Sequence, residues 1–117
     1  MEFYYHEVER DVLIVSADGG LNRDTVGEFI DGIAGLIDGG LTKVIIDCTS
    51  LTYISSIGLG ALLRVHKRMK ERGGDVKLAG LTGPVVGIIE LTRLDKVFQI
   101  YRDVNRARLA FREPDAG

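Results

Sequence analysis

The sequence predicts an α/β fold with a mixed, mainly parallel sheet, and three observations carry that prediction. Short β-rich runs alternate with segments whose apolar residues recur at steps of three and four, the pattern of crossover units that join parallel strands. Two adjacent β-rich runs open the chain and read as an antiparallel hairpin at the sheet edge. Paired glycines, Gly39-Gly40 and Gly73-Gly74, close the first two helical segments, where freely rotating backbone ends a helix.

Phe3 to Val8 and Val12 to Ala17 are the opening strands, with Glu9-Arg10-Asp11 between them. Beyond Gly19-Gly20, the residues Val26, Phe29, Ile30, Ile33 and Ile37 define the buried face of a first helix. Asn22, Asp24 and Thr25 are candidate caps for its free N–H groups. Lys43-Val44-Ile45-Ile46-Asp47 is almost wholly apolar and ends in an acid, which suits a central strand. A loop through Thr49-Ser50-Leu51-Thr52 then leads to Tyr53-Ile54-Ser55-Ser56-Ile57-Gly58. The second helix follows, with Leu59, Leu62, Leu63, His66 and Met69 on one side and Arg64, Lys67, Arg68, Lys70 and Arg72 on the other.

Asp75 to Ala79 supplies the next strand. Pro84 suits the first turn of a third helix, because its missing N–H would have no intrahelical acceptor there, and Val85, Ile88, Ile89 and Thr92 face inward. Val97 to Tyr101 reads as the last strand, Val104 to Phe111 as a terminal helix, and residues from about 112 to 117 as a frayed tail. The predicted order is ββαβαβαβα, with helices packed against the sheet in a single domain over 1–117.

Composition narrows the function. A chain of 117 residues buries roughly two-thirds of the surface its unfolded form exposes, enough for one core. Fifteen Lys and Arg against 17 Asp and Glu leave a net charge of -2, so no overall positive field is available to hold a nucleic-acid backbone. Cys48 is the one cysteine, which excludes an intramolecular disulfide and a cysteine-based metal cluster and fits a reducing, cytoplasmic setting. Neither a basic leader nor an uninterrupted apolar stretch of membrane-spanning length occurs, so no membrane insertion is expected.

Few residues carry recognisable chemistry. Ser55-Ser56 stand directly before the second helix, where free backbone N–H groups and the positive dipole end stabilise an anion, including a phosphate on a serine. Plain capping explains the same pair. Asp47 ends a buried-type strand, a place where α/β folds collect functional groups, and a phospho-accepting aspartate is one reading of it. That reading needs further oxygen ligands for Mg²⁺, and Asp18 is the nearby candidate. The alternative is that Asp47 hydrogen-bonds the loop presenting Ser55 and Ser56. His6 and His66, without a third histidine or a cysteine pair, read as structural and not as metal ligands. Neither a nucleophile elbow nor a phosphate-cradling glycine loop is present, so no catalytic residue and no cofactor is expected.

Taken in order, several segments resemble the STAS-domain family, in particular the bacterial anti-sigma-factor antagonists with a SpoIIAA-like fold. They are Gly20-Leu21-Asn22, Val44 to Asp47, Tyr53 to Leu59, Gly73-Gly74, Leu78-Ala79-Gly80-Leu81 and Leu91 to Phe98, within a resemblance running from about Val12 to Phe111. The resemblance implies a non-enzymatic regulatory module that binds an anti-sigma factor, itself a serine kinase of GHKL type, and so frees a sigma factor. With it, contact is expected through Ser55, Ser56, Ile57, Gly58 and Leu59, and Asp47 is read from its place at the strand end as support for the loop. In the family pattern, Asp-Ser-Ser-Gly or Asp-Ser-Thr-Gly, the phosphoacceptor directly precedes the glycine; here Ile57 occupies that place, Ser55 stands at the aspartate, and Ser56 matches a serine.

Two expectations follow from that departure. Either Ser56 takes over as phosphoacceptor, or the module binds constitutively and Ile57 packs into a groove of the partner. A STAS subunit of a lipid-transport ATPase complex or of a stress-signalling scaffold is the alternative assembly, and a receiver-like phosphoacceptor protein using Asp47, or a small hydrolase, the alternative class. The cations on the outer face of the second helix are either simply solvated or steer an acidic partner surface.

Overall fold

A computed structural model describes residues 2–8 and 11–112. Expectations for Glu9 and Arg10, for the His6 side chain and for the tail from Glu113 onward lie outside what it describes. The described chain runs β1 Glu2–Val8, β2 Val12–Leu21, α1 Val26–Asp38, β3 Lys43–Asp47, β4 Leu51–Ile54, α2 Ser56–Glu71, β5 Asp75–Ala79, α3 Pro84–Leu91, a 3-10 turn Leu94–Lys96, β6 Gln99–Tyr101 and α4 Val104–Arg112.

The strands are ordered β1-β2-β3-β5-β6, with β4 paired to β2 off this path. β1 lies antiparallel to β2, with Tyr4 opposite Ser16 and Val8 opposite Val12. The pairs β2–β3, β3–β5 and β5–β6 are all parallel. β2 has two working halves. Val12 to Ser16 pair with Lys43 to Asp47, and after a register irregularity between Gly19 and Gly20 its end pairs with β4. Gly19 adopts φ 98°, backbone that an L side chain rarely takes, and this lets the strand bend away from one partner to reach another.

The two faces of the sheet are covered unequally. Alternation along the strands turns Leu13, Val15, Val44, Ile46, Val76 and Leu78 toward α1, α2 and α3, which bury Phe29, Ile33, Ile37, Ala61, Leu62, Val65, Met69, Val85 and Ile89 in the same cluster. The other face presents Val12, Ile14, Ile45 and Ala79, closed by Ala107 of α4 with Tyr101, Val104 and Phe111 beside it.

Several expectations need correction. The stretch Leu51–Ile54 is strand β4, not part of a loop, so the order is ββαββαβαβα; a four-residue segment with two exposed residues lacks the apolar density that marks a strand. The last strand begins at Gln99, because Phe98 closes the preceding 3-10 turn by donating its N–H to the Leu94 carbonyl at 2.9 Å. On α2 the buried face is Gly58, Ala61, Leu62, Val65 and Met69, while Leu63 is exposed. Thr92 caps the end of α3, its hydroxyl donating to the Ile88 carbonyl at 2.7 Å, instead of facing the core.

α4 includes Arg112, the first residue assigned to the tail. The start of α1 also works differently from simple side-chain capping. Thr25 occupies the cap position without capping, and its hydroxyl accepts from the Asn22 N–H at 3.0 Å while donating to the Gly20 carbonyl at 3.0 Å. The free Val26 N–H is taken by the Asn22 carbonyl, at 2.9 Å.

Candidate functional site

β4 and the bent end of β2 deliver the chain to the start of α2. The Ser55 N–H donates to the Leu21 carbonyl at 2.9 Å, extending the pairing by one step. Ser55 then takes extended backbone, φ -85° and ψ 173°, and its Oγ accepts from the Gly58 N–H at 3.2 Å while its carbonyl accepts from the Leu59 N–H at 2.9 Å. That is a complete N-cap, and it commits the Ser55 hydroxyl to holding the helix.

The four residues that follow divide sharply by burial. Ser56, the first helical residue, is exposed, and Ile57 is 38% exposed although it is a large apolar side chain. Gly58 is buried, and a Cβ placed there would meet the Leu21 carbonyl oxygen and side chain and the Ile54 side chain. Leu59 is half-buried and packs against the core below. Of the five residues suggested for contact, Ser56 and Ile57 therefore face outward, while Ser55, Gly58 and Leu59 build the turn that presents them.

Sequence reasoning missed Tyr53. It stands on β4, 52% exposed, so a second large apolar group faces solvent within four residues of Ile57. Its one local signal is an aromatic ring two residues ahead of a helix cap, too common to single it out.

Asp47 holds the segment before β4. Its Oδ1 accepts from the Thr49 N–H at 3.1 Å and the Thr49 hydroxyl at 2.6 Å, and its Oδ2 accepts from the Ser16 hydroxyl at 3.4 Å. Gly80, with φ 75°, lies against the same threonine, and a Cβ there would stand 2.4 Å from Thr49 Oγ1. Among the described residues no group of three His, Cys, Asp or Glu is placed to hold a metal ion.

Against this geometry the family comparison is direct, because a family model for the STAS domain matches residues 6–107. The chain belongs to the STAS domain family. Membership makes it a regulatory protein and not an enzyme. This STAS domain is 28% identical over 101 residues to BtrV of Bordetella bronchiseptica, named as a candidate anti-sigma factor antagonist, a match covering 86% of this chain and 87% of the relative. It is 26% identical over 100 residues to an anti-sigma F factor antagonist of Paenibacillus polymyxa, covering 81% and 82%. The crystal structure of a candidate anti-sigma factor antagonist from Thermotoga maritima superposes with a TM-score of 0.89 at 25% identity, covering 94% of each chain.

Elsewhere in the STAS domain, the titratable groups have structural surroundings. His66 lies edge-on to the Phe98 ring, centroids 4.9 Å apart, and burial lowers its pKa. Burial, with the Asp47 charge as a lesser cause, pushes the Cys48 thiol up to about 12, so it stays protonated and unreactive. The outer face of α2 is partly spoken for. Arg68 and Arg72 both reach the Asp38 carboxylate, at 2.9 and 3.0 Å, tying the C-terminal halves of α2 and α1, and Lys70 meets Asp75 at 3.2 Å. Arg64 and Lys67 remain on the exposed surface. Among the described residues no helix is long and apolar enough to cross a membrane.

Proposed function

We propose that this STAS domain is a cytoplasmic antagonist of an anti-sigma factor, docking a GHKL-type serine kinase through the first turn of α2 and thereby freeing a sigma factor. The observation that carries the reading is Ile57, an exposed aliphatic side chain on a rigid, capped helix start, with Tyr53 exposed on the strand that leads into it. The names of the Bordetella and Paenibacillus relatives support the partner class. Two exposed apolar side chains on fixed backbone suit a binding surface, since they lose little entropy on docking and gain apolar burial.

In this reading the module binds without a phosphate switch at the usual position, because Ile57 stands there. Ile57 is the anchor, and Ser55, Gly58 and Leu59 shape the turn beneath it. Asp47 acts at one remove, by fixing Thr49 in the segment that feeds β4. The decisive measurement is affinity for the co-expressed anti-sigma factor. Ile57→Asp should weaken binding at least about a hundredfold, since a buried, unpaired carboxylate costs several kcal/mol, with Ser56→Ala unchanged. Unaltered affinity for Ile57→Asp overturns the reading.

A second reading rests on Ser56, whose hydroxyl is exposed at the first position of the helix and accessible to a kinase. A phosphate there adds about -1.5 to -2 charges beside the apolar contact without opposing the helix dipole, so the domain would stay folded while docking is lost. Intact-mass measurement after incubation with the kinase and ATP decides between them. A phosphate mapped to Ser56, together with lost binding, would replace the constitutive module by a switched one.

A further inference from the structure

At the far end of α2 from the docking turn lies an open groove of about 930 Å³, built on the sheet face that α4 covers only in part. α4 has nine residues, about 13 Å of helix, and its buried residue Ala107 sits over Ile14, Ile45 and Ala79. Toward the strand starts, among the described residues, the end of α4 lays Phe111 over Lys77 and the open groove runs beside it. There the register places Lys43 beside Asp75 and sets Lys77 between Ile45 and Gln99.

Lys77 is unusual in being a lysine only 5% exposed. Its ammonium sits over the Phe111 ring at 4.4 Å and the Tyr101 ring at 5.4 Å, donates to the Gln99 side-chain oxygen and lies 3.4 Å from the Asp75 carboxylate. Three more cations, Lys43, Lys70 and Arg106, stand around the opening, so four positive groups and one carboxylate line the groove of a chain whose net charge is -2. Asp11 for Lys43 and Asp103 for Arg106 make half-exposed pairs of the kind that contribute little and yield to a better anion, while Lys70 shares the Asp75 carboxylate with Lys77. Tyr101, Leu109, Ala110 and Phe111 form an apolar wall, beside Thr42, the Gly73-Gly74 backbone and Gln99.

From this juxtaposition we infer that the groove is a binding site for a small organic anion carrying a flat aromatic ring. The ring stacks on the Phe111 and Tyr101 wall, and the anionic group meets Lys43, Lys70 and Arg106 at the mouth through charge-assisted hydrogen bonds. The volume lies in the range of sites for such molecules. An inorganic anion would leave the apolar wall wet, and a neutral aromatic would leave the rim cations with only their exposed surface bridges. The site is independent of the docking turn, from which it is separated by the length of α2, 16 residues or about 24 Å.

The test uses the full-length chain and 8-anilinonaphthalene-1-sulfonate as probe, followed by calorimetry and by backbone amide shifts. The expected result is one site per chain, with shifts confined to residues 42–43, 70–77, 99–101 and 106–111 and a melting temperature that rises with probe concentration. Ethanesulfonate and N-phenyl-1-naphthylamine should each bind at least about tenfold more weakly, because each keeps half of the recognition. Phe111→Ala should weaken the probe about tenfold and Arg106→Gln about fivefold, whereas Ile57→Asp should leave its binding unchanged. Arg106 is exposed, so its variant folds even where Phe111→Ala does not. No saturable binding up to about 5 mM, shifts centred on the start of α2, or undiminished binding by Arg106→Gln would each overturn the inference.

Discussion

A Cβ built on Gly58 stands 2.5 Å from the carbonyl oxygen of Leu21, so the first turn of α2 rests directly on the bent end of β2. The same carbonyl accepts the Ser55 N–H at 2.9 Å. Strand end and helix start are thus joined by one hydrogen bond and one contact that only a glycine allows, and the outward placement of Ser56 and Ile57 depends on that junction.

Gly58→Ala should therefore destabilise the domain by about 1–3 kcal/mol, since neither the Leu21 backbone nor the helix can give way without losing the bond between them. Alanine's better helix propensity, about 1 kcal/mol over glycine, opposes this and is the smaller effect. The urea midpoint is the readout. An unchanged or raised midpoint would show that the junction is looser than described.

The two serines before α2 should separate cleanly in stability. Ser55→Ala removes the hydroxyl that accepts the Gly58 N–H and should cost about 1 kcal/mol. Ser56→Ala, at an exposed position, should fall within about 0.5 kcal/mol of the parent protein. Equal losses in thermal or denaturant unfolding would contradict the division of labour between cap and surface.

His66 sets an acid-side prediction. Burial beside Phe98 lowers its folded-state pKa below the ordinary 6.5, so the unfolded chain binds a proton more readily. Its contribution to stability is complete above pH 6.5 and shrinks as pH falls from there through the folded-state value. A His66→Gln variant should lose that segment of pH dependence. Identical slopes for variant and parent below pH 6.5 would remove His66 from the account.

Cys48 sets the alkaline counterpart. With its thiol pushed up to about 12 from 9.0, stability is unaffected at neutral pH and declines as pH rises above 9, where the unfolded chain ionises first. In the native protein a disulfide reagent such as 5,5′-dithiobis(2-nitrobenzoate) should label Cys48 only as fast as the domain opens, since the residue is 1% exposed. Labelling at the rate of a free thiol without denaturant would show that Cys48 is accessible.

Much of this architecture was legible in local pattern. The apolar spacing of Phe29, Ile33 and Ile37 encodes a helix and its buried side, and the apolar run Val44-Ile45-Ile46, the glycine pair after α2 and Pro84 at the head of α3 each mark an element or its end without outside help. The Ser55 cap was readable for the same reason, because a cap is a bond between neighbours three residues apart. Less visible was the inner face of α2, where Leu63 looks as apolar as Val65 and only packing decides which is covered.

The chain by itself determined its class, its sequence of helices and most of its strands, its main core and the family to which it belongs, since all of these follow from short-range periodicity and ordered motifs. Tertiary structure alone decided that β4 is a strand, that Gly58 meets Leu21, and that Lys77 is enclosed by Gln99, Tyr101 and Phe111. The physical reason is distance along the chain. Each of those features depends on groups brought together from separate elements, and a residue's own neighbours hold no record of what will be folded against it.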